Sequence, residues 1–403
     1  MNRNPRFDLF DALAYSPNLS DPYPLYAWLR ENRPVHIDVD GTVYLSRYDY
    51  ATLLKDPDLR EAPEQEMHSY TLRTINQALI KAVPPRHTEL RKAGTVAFDR
   101  DLLERGRAKA REIAEFLAKN LRANLDRNDR VDLHVDYSLP FTQRVAATVF
   151  GIPDEDFDAL AALPSRMFQA LYPRTTPAAV ADADDASRTL FVYMEEAVRH
   201  RRFIAGSGFA RLGEMSDLLP IEEIIRLCWM LWWGSYTSAL AAIDLAMLTL
   251  IEHPRTSPLL HQRTAAWVEE ALRYRSPHII NSANLTTRQE KTIGDVTLPP
   301  HTPVRFLLAA INRDEFAFSQ AHVFDPERRN LKRHVAFGEG IHACIGAQLA
   351  RMEMSTALTM LTEHLPRLTL VDQPTWRTYT TQRLCTAFPV VAAEGNAAWE
   401  KAV

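Results

Sequence analysis

The chain has 403 residues, a formal net charge of −4, 46% hydrophobic and 24% charged residues. Those proportions fit a folded globular protein rather than a disordered one. The acidic balance excludes the concentrated basic surface that nucleic-acid binding needs. Three cysteines, Cys228, Cys344 and Cys385, show neither disulfide-framework nor metal-finger spacing, which points to a reducing compartment, the cytoplasm. The first residues, Met1 to Asp8, carry no apolar signal-peptide core.

Taken in chain order, the first sixty residues mix both kinds of element. A short helix opens at Asp21-Pro22-Tyr23-Pro24 and runs through Arg30. Val35, Ile37 and Val39 then alternate with polar residues up to Asp40-Gly41, and Val43-Tyr44-Leu45 follows, a strong hairpin pattern. From Pro85 onward the apolar spacing is helical. It predicts helices over Thr88–Phe98, Leu102–Arg122, Phe141–Phe150, Asp154–Leu171, Ala181–Arg201, Ile221–Glu252 and Ala265–Tyr274. A second group of strand-like runs covers 292–298, 303–307 and 384–391. The reading is mainly α with a small β-rich part: one domain over 1–403, with β portions near 33–47, 292–308 and 376–393. Its helical core covers 85–275 and 345–363. Leu227 to Ile251 is apolar enough to suggest a membrane span, but Gly234, Ser235, Tyr236, Thr237, Ser238 and Asp244 interrupt it. A central core helix explains it better, with no membrane partner.

The most informative string is Ala336-Phe337-Gly338-Glu339-Gly340-Ile341-His342-Ala343-Cys344-Ile345-Gly346, running into Ala347-Gln348-Leu349-Ala350-Arg351. The glycines around Glu339 permit a tight bulged loop. The helical pattern after Cys344 places that sulfur near a helix start, where unpaired amides favour a thiolate. A thiolate on a rigid loop is what a haem iron takes as axial ligand. The string resembles the haem-binding loop of the cytochromes P450. That resemblance covers essentially the whole chain and implies their triangular fold, with a long central helix over haem b, and oxidation using dioxygen and two electrons.

The resemblance also implies roles for particular residues. Cys344 would be the metal ligand, with Phe337 and Gly338 shaping its loop. His87 and Arg91, in Pro84-Pro85-Arg86-His87-Thr88-Glu89-Leu90-Arg91, would reach a haem propionate, as would His342. Glu270 and Arg273 with Arg328 would form a buried charge triad. Relatives carry a propionate-binding arginine where this chain has Asn284 or Leu285, leaving Arg288 or Arg305 as substitutes. Above the iron, relatives read Ala-Gly-x-acid-Thr, and this chain reads Trp233-Gly234-Ser235-Tyr236-Thr237. Gly234 and Thr237 keep the oxygen pocket, whereas Tyr236 replaces the acid and Trp233 the small residue. A phenol of pKa ~10 is a poor proton source at neutral pH.

Substrate-facing segments by resemblance are Glu61–Ile80, Met167–Val192, Leu231–Thr237, His278–Ser282 and Leu384–Ala387. Met67, His68, Tyr70, Phe168, Tyr172, His278 and Asn281 give them a mixed polar and aromatic character, suited to a short peptide or aromatic small molecule. The expectation is a natural-product tailoring enzyme that draws electrons from a ferredoxin-type donor, steered by Lys92, Lys332, Arg333 and Arg351. Oxidative cross-linking of aromatic side chains leads, and regioselective hydroxylation follows. An inactive partner-recruiting relative is the rival from another class, and a haem-based gas sensor a third.

Overall fold

The computed structural model describes residues 7–61, 68–128, 130–281, 285–394 and 399. Asn284 and Met67 therefore lie outside the described residues. The helices are mostly those the periodicity predicts, with ends set by local caps. Arg100–Asn128 extends past both predicted ends. Pro177–Arg199 starts four residues early, because the Thr176 hydroxyl accepts from the Ala179 amide and Pro177 occupies the first turn.

Three predicted helices are broken, and Thr88–Phe98 is observed as Arg86–Gly94 followed by a 3-10 turn over Thr95–Phe98. Asp154–Leu171 divides into Asp154–Ala161, Leu163–Phe168 and a 3-10 turn over Gln169–Leu171. Pro164 has no amide to offer the Leu160 carbonyl, so the first helix must end there. The freed carbonyls are taken by the central helix: Trp232 donates to Leu160 at 3.4 Å and Tyr236 to Ala161 at 2.7 Å. The central helix itself divides into Ile221–Ser235 and Thr237–Glu252, with Tyr236 at φ −117° between them. Gly234 weakens the turn, and Ser235 bonds back to the Trp232 carbonyl. This stretch is the one described helix long and apolar enough to cross a membrane, and 78% of its apolar window is buried inside the protein.

The predicted hairpin is present as Val35–Ile37 paired antiparallel with Val43–Leu45. It forms one edge of a five-stranded sheet whose order continues through Pro303–Phe306, Leu285–Thr287 and Leu59–Glu61. The last two strands lie outside the predicted runs. Lys291–Ile293 and Val296–Leu298 make a separate hairpin. The C-terminal strands are Cys385–Ala387 and Pro389–Ala392, in two further small sheets with Thr375–Trp376, Val131–Asp132 and Leu368–Leu370. The large helical core packs the central helix with Arg100–Asn128 and Ala347–His364, while the sheet has its own smaller core around Val43, Leu45, Val304 and Phe306.

The expected charge triad is formed. Glu270 and Arg273 are both fully buried and paired through two 2.7 Å bonds. Arg328 adds its Nε at 3.4 Å. The remaining Arg273 donors go to the carbonyls of Asn312, Ala321 and Val323, so the buried guanidinium is satisfied all round.

Candidate active site

The Cys344 loop is bulged at two glycines, Gly338 at φ +69° and Gly340 at φ +75°. Only glycine takes that left-handed backbone without strain. The Cys344 amide donates back to the Phe337 carbonyl at 2.9 Å, and Gly338 to Val335 at 2.9 Å. The long helix then starts at Ala347 with Gly346 as its cap. Arg351, one turn in, lays its guanidinium over the Phe337 ring at 4.4 Å. The same arginine pairs with Glu269, which also accepts from His334 at 2.8 Å. Burial pushes the Glu269 carboxyl up, but those two partners outweigh it and hold it at about 2. This brace around the loop was not anticipated; its only trace in the sequence is a second glutamate beside Glu270.

Two expected partners meet the loop from the Arg86–Gly94 helix. Arg91 donates from Nη1 to the Ala343 carbonyl, and the His87 ring stands edge-on to His342 with centroids 4.9 Å apart. Gly94 lets the helix come close: a Cβ there would lie 2.9 Å from Ile345 Cδ1 and 3.7 Å from Leu227 Cδ2. The cysteine loop, this helix and the central helix are thus keyed together at one point.

Cys344 is exposed, yet desolvation raises its thiol pKa, opposed by the Gly346 amide and by Arg91 and Arg351. Exposure together with desolvation describes a sulfur facing an enclosed space. The Gly346 amide favours the thiolate, as expected of a helix start, while burial opposes it. Gly234, within the otherwise buried central helix, is likewise exposed, and a Cβ added there would meet nothing within 4 Å. Gly338 is equally open.

The polar atoms around this space suit an anionic macrocycle. His87 Nε2 is buried without a partner. Burial, with the neighbouring His87, Lys81 and Arg91, pushes His342 down to about 4. Burial and Arg91 also lower His87. No acidic group contributes to either shift, so the carboxylates of a haem would meet a ready set of donors. The residues fit the group.

On the other side, Thr237 is buried and its hydroxyl has no partner. Trp233 is stacked on Phe168 at 4.7 Å and on Trp229 at 5.8 Å, with its indole nitrogen unpartnered. Tyr236, expected to be a poor proton source, is engaged in the fold. Its hydroxyl is committed to the Ala161 carbonyl and burial raises its pKa, so it does not stand in for an acid beside Thr237. Asn281 also has a structural part: its side-chain oxygen accepts from the Phe306 amide at 2.7 Å and bridges two segments of the fold. His278 is pushed down to about 4 by burial and contacts Gln382 at 3.4 Å.

Cys385 belongs to a different cluster. Its sulfur, His134 and Asp244 lie with ligand-type atoms within 4.8 Å of one another, a spacing that could hold a metal ion. The three are nevertheless already engaged. Asp244 accepts from Ser138 and lies 2.8 Å from His134 Nδ1, and the Cys385 thiol points to the Ala387 carbonyl at 3.2 Å. Cys385 is buried on a strand, with burial raising its thiol pKa. It has neither the glycine loop nor the basic set that surround Cys344.

Comparison with known proteins agrees with this geometry. The family model for cytochrome P450 matches residues 262–384, a span that contains Cys344 and stops before Cys385. Cytochrome P450 BJ-3 of Bradyrhizobium diazoefficiens is 30% identical over 396 residues, covering 91% of this chain and 92% of that one. The vitamin D(3) 25-hydroxylase of Pseudonocardia autotrophica is 29% identical, with 94% and 95% covered. Among solved structures, P450BioI in complex with an acyl carrier protein ligated to hexadec-9Z-enoic acid superposes with a TM-score of 0.85. It is 26% identical, with 94% of this chain and 99% of that one covered. The chain belongs to the cytochrome P450 family, the haem-thiolate oxidoreductases, with haem b as cofactor.

Proposed function

We propose that the protein is a tailoring oxidase of secondary metabolism in which Cys344 holds the iron of haem b. One observation carries the assignment: an exposed sulfur on a glycine-bulged loop, next to a basic group whose buried His87 Nε2 has no partner. His87, Arg91 and His342 take the propionates, with Phe337 and Gly338 shaping the loop. Bound there, haem supplies the oxidising power that dioxygen and two electrons provide. The chain's own work is positioning. Gly234 leaves room beside the central helix, and the free hydroxyl of Thr237 is the proton-handling group on that side. Phe168, Trp233 and Trp229 form an aromatic roof that restricts how a substrate approaches.

The finer reading is oxidative coupling of aromatic side chains in a small molecule or short peptide. Its support is twofold. Tyr236 is engaged outside proton handling, and the Phe168–Trp233 stack gives the neighbourhood of Gly234 and Thr237 an aromatic character. Regioselective hydroxylation is the second reading, favoured by the hydroxylase activity of the Pseudonocardia relative. Electrons come from a separate ferredoxin-type protein. Arg351 is neutralised by Glu269, which leaves the exposed Lys92, Lys332 and Arg333 to steer an acidic donor.

The reduced carbon monoxide complex tests the ligand. Wild type and Cys385→Ser should show the red-shifted Soret band of thiolate ligation, and Cys344→Ser should lose it. The band persisting in Cys344→Ser, or vanishing in Cys385→Ser, would move the iron to the other sulfur. Product mass spectrometry then separates the chemistries, since coupling removes hydrogen and hydroxylation adds one oxygen atom.

A further inference from the structure

Away from the cysteine loop, a cavity of about 1090 Å³ opens between the Tyr23–Asn32 helix, the end of the central helix and the end of the Thr264–Tyr274 helix. Arg313 lines it and is only 7% exposed. Its guanidinium lies between two phenol rings, 3.6 Å from the Tyr274 centroid and 4.0 Å from that of Tyr23. Nε donates to the Tyr274 carbonyl at 2.6 Å. With both faces covered and Nε engaged, only the edge bearing the two terminal nitrogens is left, and among the described residues nothing accepts from them.

The lining carries five arginines and five acids, so what matters is which of those charges are paired. Arg275 and Arg383 line the same cavity, and their charges, with that of Arg313, all act on the Tyr23 phenol. Arg275 is neutralised by Glu252 at 2.7 Å. Among the described residues the Arg383 guanidinium bonds to the carbonyls of Leu19 and Ser20, which accept without cancelling its charge. Neither Arg313 nor Arg383 has a carboxylate within ion-pair distance among the described residues. Of the other acids on the lining, Glu31 is exposed and its charge acts on Arg30, and the rest are engaged elsewhere. Asp314 accepts from the amides of Tyr48 and Phe316, Asp21 accepts from the Tyr23 amide, and Glu315 faces His322.

A buried guanidinium without a counter-charge is costly. The flanking rings offset part of that cost but offer no acceptor in the guanidinium plane. A planar fork of N–H donors opening on a polar cavity matches an oxyanion in bidentate geometry. We propose that this cavity is a second binding site, independent of the haem side, for a small oxyanion, either a carboxylate or a phosphate. The Arg313 edge grips it and the charge of Arg383 supports it.

Calorimetric titration of the haem-loaded protein at constant ionic strength tests this, with inorganic phosphate and succinate as separate probes. Saturable binding of at least one is expected, and which one binds identifies the source; saturation by neither overturns the site. Arg313→Gln should weaken binding by about tenfold or more, the loss of a charged hydrogen-bonded pair. Because a buried substitution can impair folding, Glu252→Gln gives an independent arm. It removes a part-exposed carboxylate from Arg275 and should tighten binding by about threefold. Unchanged affinity in a folded Arg313→Gln, or unchanged or weaker affinity in Glu252→Gln, overturns the proposal.

Discussion

The hydroxyl of Tyr236 donates to the carbonyl of Ala161 across 2.7 Å, closing the end of a helix that Pro164 cuts short. The residue in the place of the usual acid is therefore a strut between the central helix and the Asp154–Ala161 helix. Tyr236→Phe should cost about 1 kcal/mol, the net value of one buried hydrogen bond. Turnover with the native substrate should stay near wild type. Tyr236→Glu should destabilise far more, by burying a carboxylate against a carbonyl. Thermal melts with oxygen-consumption rates check both; faster oxygen consumption in a stable Tyr236→Glu would return this position to proton delivery.

Glu269 ties His334, at the head of the cysteine loop, to Arg351 in the helix that follows. Its carboxyl falls from an ordinary 4.5 to about 2 in the folded chain, so its stabilising effect is complete above pH 4.5 and is lost as pH falls through about 2. Allowing for partial exposure, roughly 1–2 kcal/mol is at stake at neutral pH. Glu269→Gln should lose that amount at pH 7 and show a shallower acid-unfolding profile. Parallel profiles for the two proteins would disprove the linkage.

Removing Glu270 leaves Arg273 and Arg328 uncompensated. Glu270→Ala should lose about 3–5 kcal/mol and fail to retain haem, seen as a low Soret-to-protein absorbance ratio. Haem-loaded protein of normal thermal stability would show that the carbonyls around Arg273 suffice.

Trp233 fills the roof between Phe168 and Trp229. Trp233→Ala should cost about 3–5 kcal/mol, as large core truncations do. It should also change size selection, so that bulky azole inhibitors gain affinity relative to imidazole in a spectral titration. An unaltered ranking of azoles would place the indole outside the substrate space.

How much of this was legible beforehand differs from feature to feature. Cys344 and its glycine loop were readable because their spacing is local, whereas the meeting of His87 and Arg91 with His342 was implied only by the family resemblance, the two segments lying 252 residues apart at the Arg91–Ala343 bond. A bulge, a helix start and a one-turn separation are fixed by near neighbours along the chain. The long helices were readable for the same reason, since their buried faces repeat every three or four residues. The Glu270–Arg273 pair lies within one helical turn, so it too could be anticipated, whereas its satisfaction by distant carbonyls could not.

What only the tertiary structure decided are the partners that come from far along the chain. Tyr236 looked like a displaced acid because nothing nearby shows that the Ala161 carbonyl, 75 residues earlier, needs a donor. That Asn281 ties the Phe306 strand to its own segment was equally hidden, the two residues lying 25 apart. Arg313 reads as one more arginine until Tyr23 and Tyr274 close over its two faces. A sequence by itself determines which groups can donate, accept or carry charge, and which of them share a helical turn. Which buried atom each finally meets is decided by packing, because desolvation obliges every buried polar group to take whatever partner the fold brings within reach.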